Sequence, residues 1–141
     1  MIIDSHQHFW NYNPERDLWI DDSMGVIRKH FLPKNLKPIL LENGVDGCIA
    51  IQADQSHLET EFLLTCAKKN PFIKGVVGWV DLTAESIESQ LMHYTSNSLF
   101  KGVRHIAQAE KDDYFLRSDV QRGISKLSKY NLTYDLSLIH I

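Results

Sequence analysis

Ile2-Ile3-Asp4-Ser5-His6-Gln7-His8 is the stretch on which the fold turns. An apolar run leads straight into His-x-His. Side chains alternate along a strand, so His6 and His8 point the same way while Gln7 points opposite. Two imidazoles then leave a first strand together at its carboxyl end, where parallel α/β folds assemble their sites. Neutral imidazole is a good ligand for zinc and similar divalent ions, which makes the pair a candidate metal and catalytic site. The alternative is two polar residues leaving a strand into a loop, with Phe9 and Trp10 packing nearby.

Working outward, further apolar or β-branched runs of strand length follow at Cys48–Ala53, Ile73–Val80 and Phe100–Ile106, and another begins at Leu132. The first such run is Met1–Asp4. Helical periodicity fills the gaps. Ser56–Lys69 places Leu58, Phe62, Leu63, Cys66 and Ala67 on one stripe. Thr83–Tyr94 does the same with Ile87, Leu91 and Tyr94, Thr83 being the expected N-cap. Ser118–Tyr130 opens with Ser118 and Asp119 as cap candidates and continues with Val120, Ile124 and Leu127. Pro71 closes one helix and Gly44 another. Strands that alternate with helices mean a parallel sheet with right-handed crossovers. Two architectures fit: a five-stranded doubly wound sheet, or the opening half of a (β/α)8 barrel, which usually takes about 250 residues.

Composition narrows the function classes. The 141 residues carry 15 Lys+Arg against 18 Asp+Glu, a net charge of −3, with 43% apolar and 23% charged residues. That is ordinary for a folded domain and too apolar for disorder. Basic residues form no run, so nucleic acid and anionic membranes are not expected partners. No apolar stretch approaches the roughly 20 residues of a membrane span. Asp4 falls where a signal peptide would be apolar. Cys48 and Cys66 lie in apolar surroundings at no metal-binding spacing and read as reduced thiols of a cytoplasmic protein.

The opening Met1-Ile-Ile-Asp-Ser-His-Gln-His-Phe-Trp10 resembles that of the amidohydrolase superfamily, in particular its sugar-lactonase branch (L-fuconolactonase-like and L-rhamnonolactonase-like enzymes). Gly44-Val-Asp-Gly-Cys-Ile-Ala-Ile-Gln52, Gly75-Val-Val-Gly-Trp-Val-Asp81 and Phe100-Lys-Gly-Val-Arg-His105 carry the similarity on, to about Asp135. The resemblance implies that residues 1–135 are the N-terminal half of a TIM (β/α)8 barrel. It implies hydrolysis of sugar-acid lactones, often with one divalent metal such as zinc, His6 and His8 being ligands or electrophilic stabilisers. It also makes Arg104 a binder of the substrate carbonyl or carboxylate. Strand alternation independently puts Gly102, Arg104 and Ile106 on one face. The family's further histidine and catalytic aspartate belong to later strands, so the 141-residue chain is expected to be inactive alone. Leu136-Ser-Leu-Ile-His-Ile141 resembles a translated sequencing adapter, and residues 136–141 are expected to be a non-native tail in which His140 has no role.

Other candidates sit where a barrel mouth would be. Gln52, Asp54 and Asp81 end strands and are candidate substrate contacts, or helix caps and loop acceptors. Trp10 can wall a sugar pocket or pack in the core. His57 and His93 read as solvated, and His105 as packing on the side away from Arg104. The long connection from Asn11 to Lys34 suits either an active-site loop or a rim insertion. Two other functional readings remain: a flavodoxin-like or receiver-like binding module, with Asp81 as its phospho-acceptor, and a metal-independent lactonase or decarboxylase in which the histidines polarise a carbonyl directly.

Overall fold

The structure, a computed structural model, describes residues 1–137; His140 and the rest of 138–141 lie outside that range. Five strands form the sheet: β1 (Ile3–His8), β2 (Gly47–Ile51), β3 (Ile73–Gly78), β4 (Phe100–Ile106) and β5 (Thr133–Ser137). Between them run α1 (Pro33–Glu42), α2 (His57–Lys69), α3 (Ile87–Thr95) and α4 (Ser118–Leu127). All four pairings are parallel, and the strands lie side by side in chain order. A doubly wound sheet reverses direction and places its first strand inside the sheet. Here every crossover steps one strand onward, which is the winding of half a (β/α)8 barrel. That winding is also not the one a flavodoxin-like or receiver-like module requires.

β1 is longer than its apolar run. It continues past Asp4 because Gln7 and His8 find partners in Ala50 and Ile51 of β2, after a shift in register. The central strands are buried on both faces, Ile73, Val76 and Val77 of β3 and Cys48, Ala50 and Ile51 of β2 among them. Such burial is the mark of a parallel sheet covered by helices. Leu40, Leu63, Leu91 and Leu127 bring one contact from each helix to this core. Each such side chain contributes roughly 1.5–3 kcal/mol on burial.

The stripe of α2 is turned from the expected one. Leu58 is exposed, while Glu59, Thr60 and Leu63 face inward. Thr60 explains the rotation: its hydroxyl accepts from Trp79 N–H and donates to Trp79 C=O, both at 2.8 Å, bolting the helix to the chain just beyond β3. Ser56 caps α2 by accepting from Glu59 N–H. Thr83 does not cap α3, which starts at Ile87; its hydroxyl donates to Asp81 Oδ1 at 2.6 Å instead. Ser118 is the first residue of α4, with Arg117 in the cap position. Gly44 ends the first helix at φ 67°, a left-handed conformation that costs glycine nothing.

Residues 10–31 leave the barrel rim as one loop pinned at its base. Trp10 and Phe31 exchange both backbone hydrogen bonds, at 2.9 and 3.0 Å, and their rings pack at 4.6 Å. Among the described residues no helix is long and apolar enough to cross a membrane.

Gly123 of α4 is where the helix meets the backbone of Leu82, and a Cβ there would overlap backbone atoms. Propensity alone would make Gly123→Ala stabilising by up to about 1 kcal/mol. The overlap reverses the sign: a loss of about 1–3 kcal/mol is expected in urea denaturation.

Candidate active site

His6 and His8 occupy the carboxyl end of β1, and their Nε2 atoms lie 3.1 Å apart. His8 Nδ1 is 3.0 Å from Ile51 C=O. A carbonyl only accepts, so Nδ1 carries the proton and Nε2 presents its lone pair toward His6. Burial holds the His8 imidazole below its ordinary value of 6.5, a lowering that His6 and the Arg104 charge reinforce and the Ile51 bond opposes. His8 is therefore neutral, the ligand form, at neutral pH. The donor set fits a divalent cation: two nitrogens directed at one point, one of them fixed in tautomer by a backbone acceptor. Among the described residues, no group of three or more His, Cys, Asp or Glu is placed to hold a metal ion.

Arg104 leaves β4 two strands away from β2 and is held back to it. Its Nη1 donates to Gln52 C=O at 3.0 Å, while Gln52 Nε2 donates to Arg104 C=O at 3.1 Å. Its Nη2 donates to Ser137 Oγ at 2.9 Å. Reciprocal bonds across β3 fix the guanidinium on the concave side, and burial lowers its pKa without removing its charge.

His8, Arg104 and Trp10 line one cavity of about 630 Å³. Ala53 and Asp54 of the β2–α2 connection and Glu59 of α2 also line it, as do Arg16, Asp17, Trp19 and Ile20 of the rim loop. Within the connection 11–34, it is these four residues that belong to the cavity. Two of the expected substrate contacts stand elsewhere. Gln52 is fully buried beneath the cavity and positions Arg104. Asp81 is taken up locally, accepting from Thr83 N–H and the Thr83 hydroxyl at the turn after β3. His105 points away from Arg104, stacked on Tyr114, with Nδ1 accepting from Trp79 Nε1–H at 3.2 Å and Nε2 donating to Glu110 at 2.8 Å. His57 is exposed but not merely solvated, since it bonds the Tyr94 hydroxyl at 2.9 Å. His93 is exposed and pairs with Glu61.

Three cavity residues carry no sequence signal of their own. Arg16 and Asp17 sit in an irregular loop. Asp17 is buried, takes two bonds from Arg16 at 2.7 and 2.9 Å and one from Asn13 N–H at 2.8 Å, and Arg16 holds its carboxyl below the ordinary range. Glu59 stands three residues after Ser56, a spacing that reads as a helix capping box. Its side chain instead reaches Ala53 N–H at 3.1 Å, in the loop that rims the cavity. Burial raises the Glu59 carboxyl from 4.5 to about 7, nearby Asp54 adding to the rise while the backbone bond and Arg16 oppose it.

A carboxyl raised in the folded state favours folding most below its unfolded pKa, and that advantage is lost as pH rises through the folded value. Between pH 4.5 and about 7 the folded chain holds a proton that the unfolded chain has released. Stability relative to Glu59→Gln should therefore fall across that window, by an amount on the order of 3 kcal/mol. Urea denaturation of both chains at several pH values measures it; parallel pH profiles would contradict a raised Glu59.

Comparison with known proteins places this geometry. The chain is 36% identical over 136 residues to an L-fucono-1,5-lactonase of Burkholderia multivorans, covering 95% of this chain and 46% of that protein. It is 29% identical to an L-fucono-1,5-lactonase of Burkholderia ambifaria, covering 94% and 46%. A crystal structure of an amidohydrolase from Burkholderia multivorans with bound zinc superimposes with a TM-score of 0.93 at 34% identity, covering 98% of this chain and 49% of that one. The chain thus spans about half the length of the relatives it matches. The family model described as Amidohydrolase matches residues 3–140, and the chain belongs to that family.

Proposed function

We propose that this chain forms the N-terminal half of a hydrolase that opens lactones of sugar acids by adding water to the lactone carbonyl. The observation that carries this reading is the meeting of His8 and Arg104 in one cavity, with His6 Nε2 3.1 Å from His8 Nε2. The similarity to two L-fucono-1,5-lactonases supports a sugar lactone as the substrate class. Zinc in a related amidohydrolase supports a metal at the histidine pair.

Each residue has a task that its surroundings explain. Arg104, charged and held by Gln52, donates to the carbonyl oxygen as negative charge develops there, or to the carboxylate of the sugar-acid product. His6 and His8 would hold the metal through Nε2, and the Ile51 carbonyl keeps His8 in the required tautomer. Bound there, a divalent ion supplies Lewis-acid polarisation of the lactone carbonyl and of the attacking water. Trp10 and Trp19 give the cavity apolar walls suited to a sugar ring. Gln52 positions Arg104. The buried free thiols of Cys48 and Cys66, the former pushed up to about 12 by burial, suit a reducing cytoplasmic setting.

Zinc titration by calorimetry tests the ligand role without needing turnover. The chain should take up zinc, and His6→Ala and His8→Ala should each weaken uptake by about 10-fold or more. Uptake unchanged in both variants would remove the metal and leave the pair to polarise the carbonyl directly. The 141-residue chain by itself is expected to show no lactone hydrolysis above the uncatalysed rate. A pH-stat rate that rises with protein concentration would overturn that expectation.

A further inference from the structure

We propose that Glu59 is the hydroxyl-recognising residue of the cavity, accepting a hydrogen bond from a ring hydroxyl of a neutral, polyhydroxylated lactone. The proposal rests on the lactone reading above and adds the residue that selects hydroxylated substrates. Four charged side chains line the cavity from the rim loop and from the β2–α2 side: Arg16, Asp17, Asp54 and Glu59. Three are occupied by other side chains. Arg16 and Asp17 hold each other through two bonds, and Asp54 Oδ2 accepts from the Ser56 hydroxyl at 2.7 Å. Among the described residues, no side chain hydrogen-bonds the Glu59 carboxyl, whose backbone N–H is the one that Ser56 caps. The carboxyl's partners are backbone groups: Ala53 N–H at 3.1 Å on Oε1, with Asp54 N–H beside it, and a carboxyl has acceptor capacity for more.

Glu59 is only 5% exposed, and a carboxyl so placed carries a desolvation cost that its backbone contacts do not offset. Glu59 lines the cavity, so a ligand hydroxyl there can take up the carboxyl's remaining acceptor capacity. The other cavity contacts fit the same class of ligand. Trp10 and Trp19 offer flat apolar surface to the C–H faces of a ring. The Trp10 indole N–H is buried with no partner among the described residues. Arg16 and Asp17 offset each other's charge on this side of the cavity, which leaves Arg104 as the group that takes the carbonyl. A site built to hydrogen-bond a hydroxyl rejects an analogue lacking it, because its own buried group is left unpaired.

The test is a comparison of two lactones on the 141-residue chain, followed by NMR chemical-shift titration. One probe is a hydroxylated aldono-γ-lactone; the other is γ-butyrolactone, which has the same reactive group and no hydroxyl. The chain should prefer the hydroxylated probe by about tenfold, the order of one hydrogen bond to an ionisable group. Glu59→Met, which keeps length and removes both oxygens, should bring that preference close to unity while leaving γ-butyrolactone binding within about twofold. If Glu59→Met does not fold, Glu59→Gln decides. It keeps the bond from Ala53 N–H, exchanges the second oxygen for a donor, and should lose at least about threefold of the preference. A preference retained in the folded variant overturns the proposal, assigns Glu59 to holding the Ala53 loop, and leaves the lactone reading intact. Failure of either probe to perturb the cavity residues of the unsubstituted chain overturns the lactone reading and this proposal with it.

Discussion

Two-faced burial of the central strands is the constraint from which the rest follows. β2 and β3 are apolar on both sides, so helices must cover one face and the other must be turned away from water. In-order parallel pairing satisfies both demands at once, since α1–α4 all pack outside while the concave face curls on itself. The reciprocal bonds between Gln52 and Arg104, which reach from β2 to β4 over β3, belong to that curvature. They also explain why a charged guanidinium can be kept on the inner side of an apolar sheet: each end of the pair satisfies a backbone carbonyl of the other.

The chemistry collects at the carboxyl ends of the strands because that is where inward-pointing side chains leave the packed layers. His8 is tied to Ile51, Arg104 to Gln52 and Glu59 to Ala53, so three cavity groups take their positions from the end of β2 or the few residues after it. β2 thereby acts as the frame of the site although it contributes no reactive side chain from within the strand. The bolt between Thr60 and Trp79 turns α2 so that Glu59 faces inward, linking the orientation of a helix to the content of the cavity. The rim loop adds further lining, with Asp17 as its buried knot and the Trp10–Phe31 bridge as its base.

Much of this was legible before any coordinates. Period-two alternation put His6 and His8 on one side and Arg104 with Gly102 and Ile106 on one face, because strand geometry allows nothing else. Capping failed more often: Ser56 caps α2, but Thr83 is drawn to Asp81, and Arg117 rather than Ser118 holds the cap of α4. A hydroxyl near a helix start has several acceptors within reach, and the local sequence does not rank them. In the sequence Gln52 and Asp81 look alike, an amide and an acid at strand ends. One became a buried positioner of Arg104 and the other a turn acceptor, a difference set by which neighbours the fold supplied.

The sequence by itself determined the alternation of strands and helices and the common direction of the histidine pair, since both are consequences of backbone periodicity and need no partner. It left undecided whether the sheet winds one way or doubles back, because periodicity is the same in either case; the order of pairing in space resolved it. It was silent about Arg16, Asp17 and Glu59, which come to one cavity from a loop and a helix. Convergence of that kind depends on how far α2 is rotated and how the rim loop folds back, and those are set by long-range packing that no local pattern encodes.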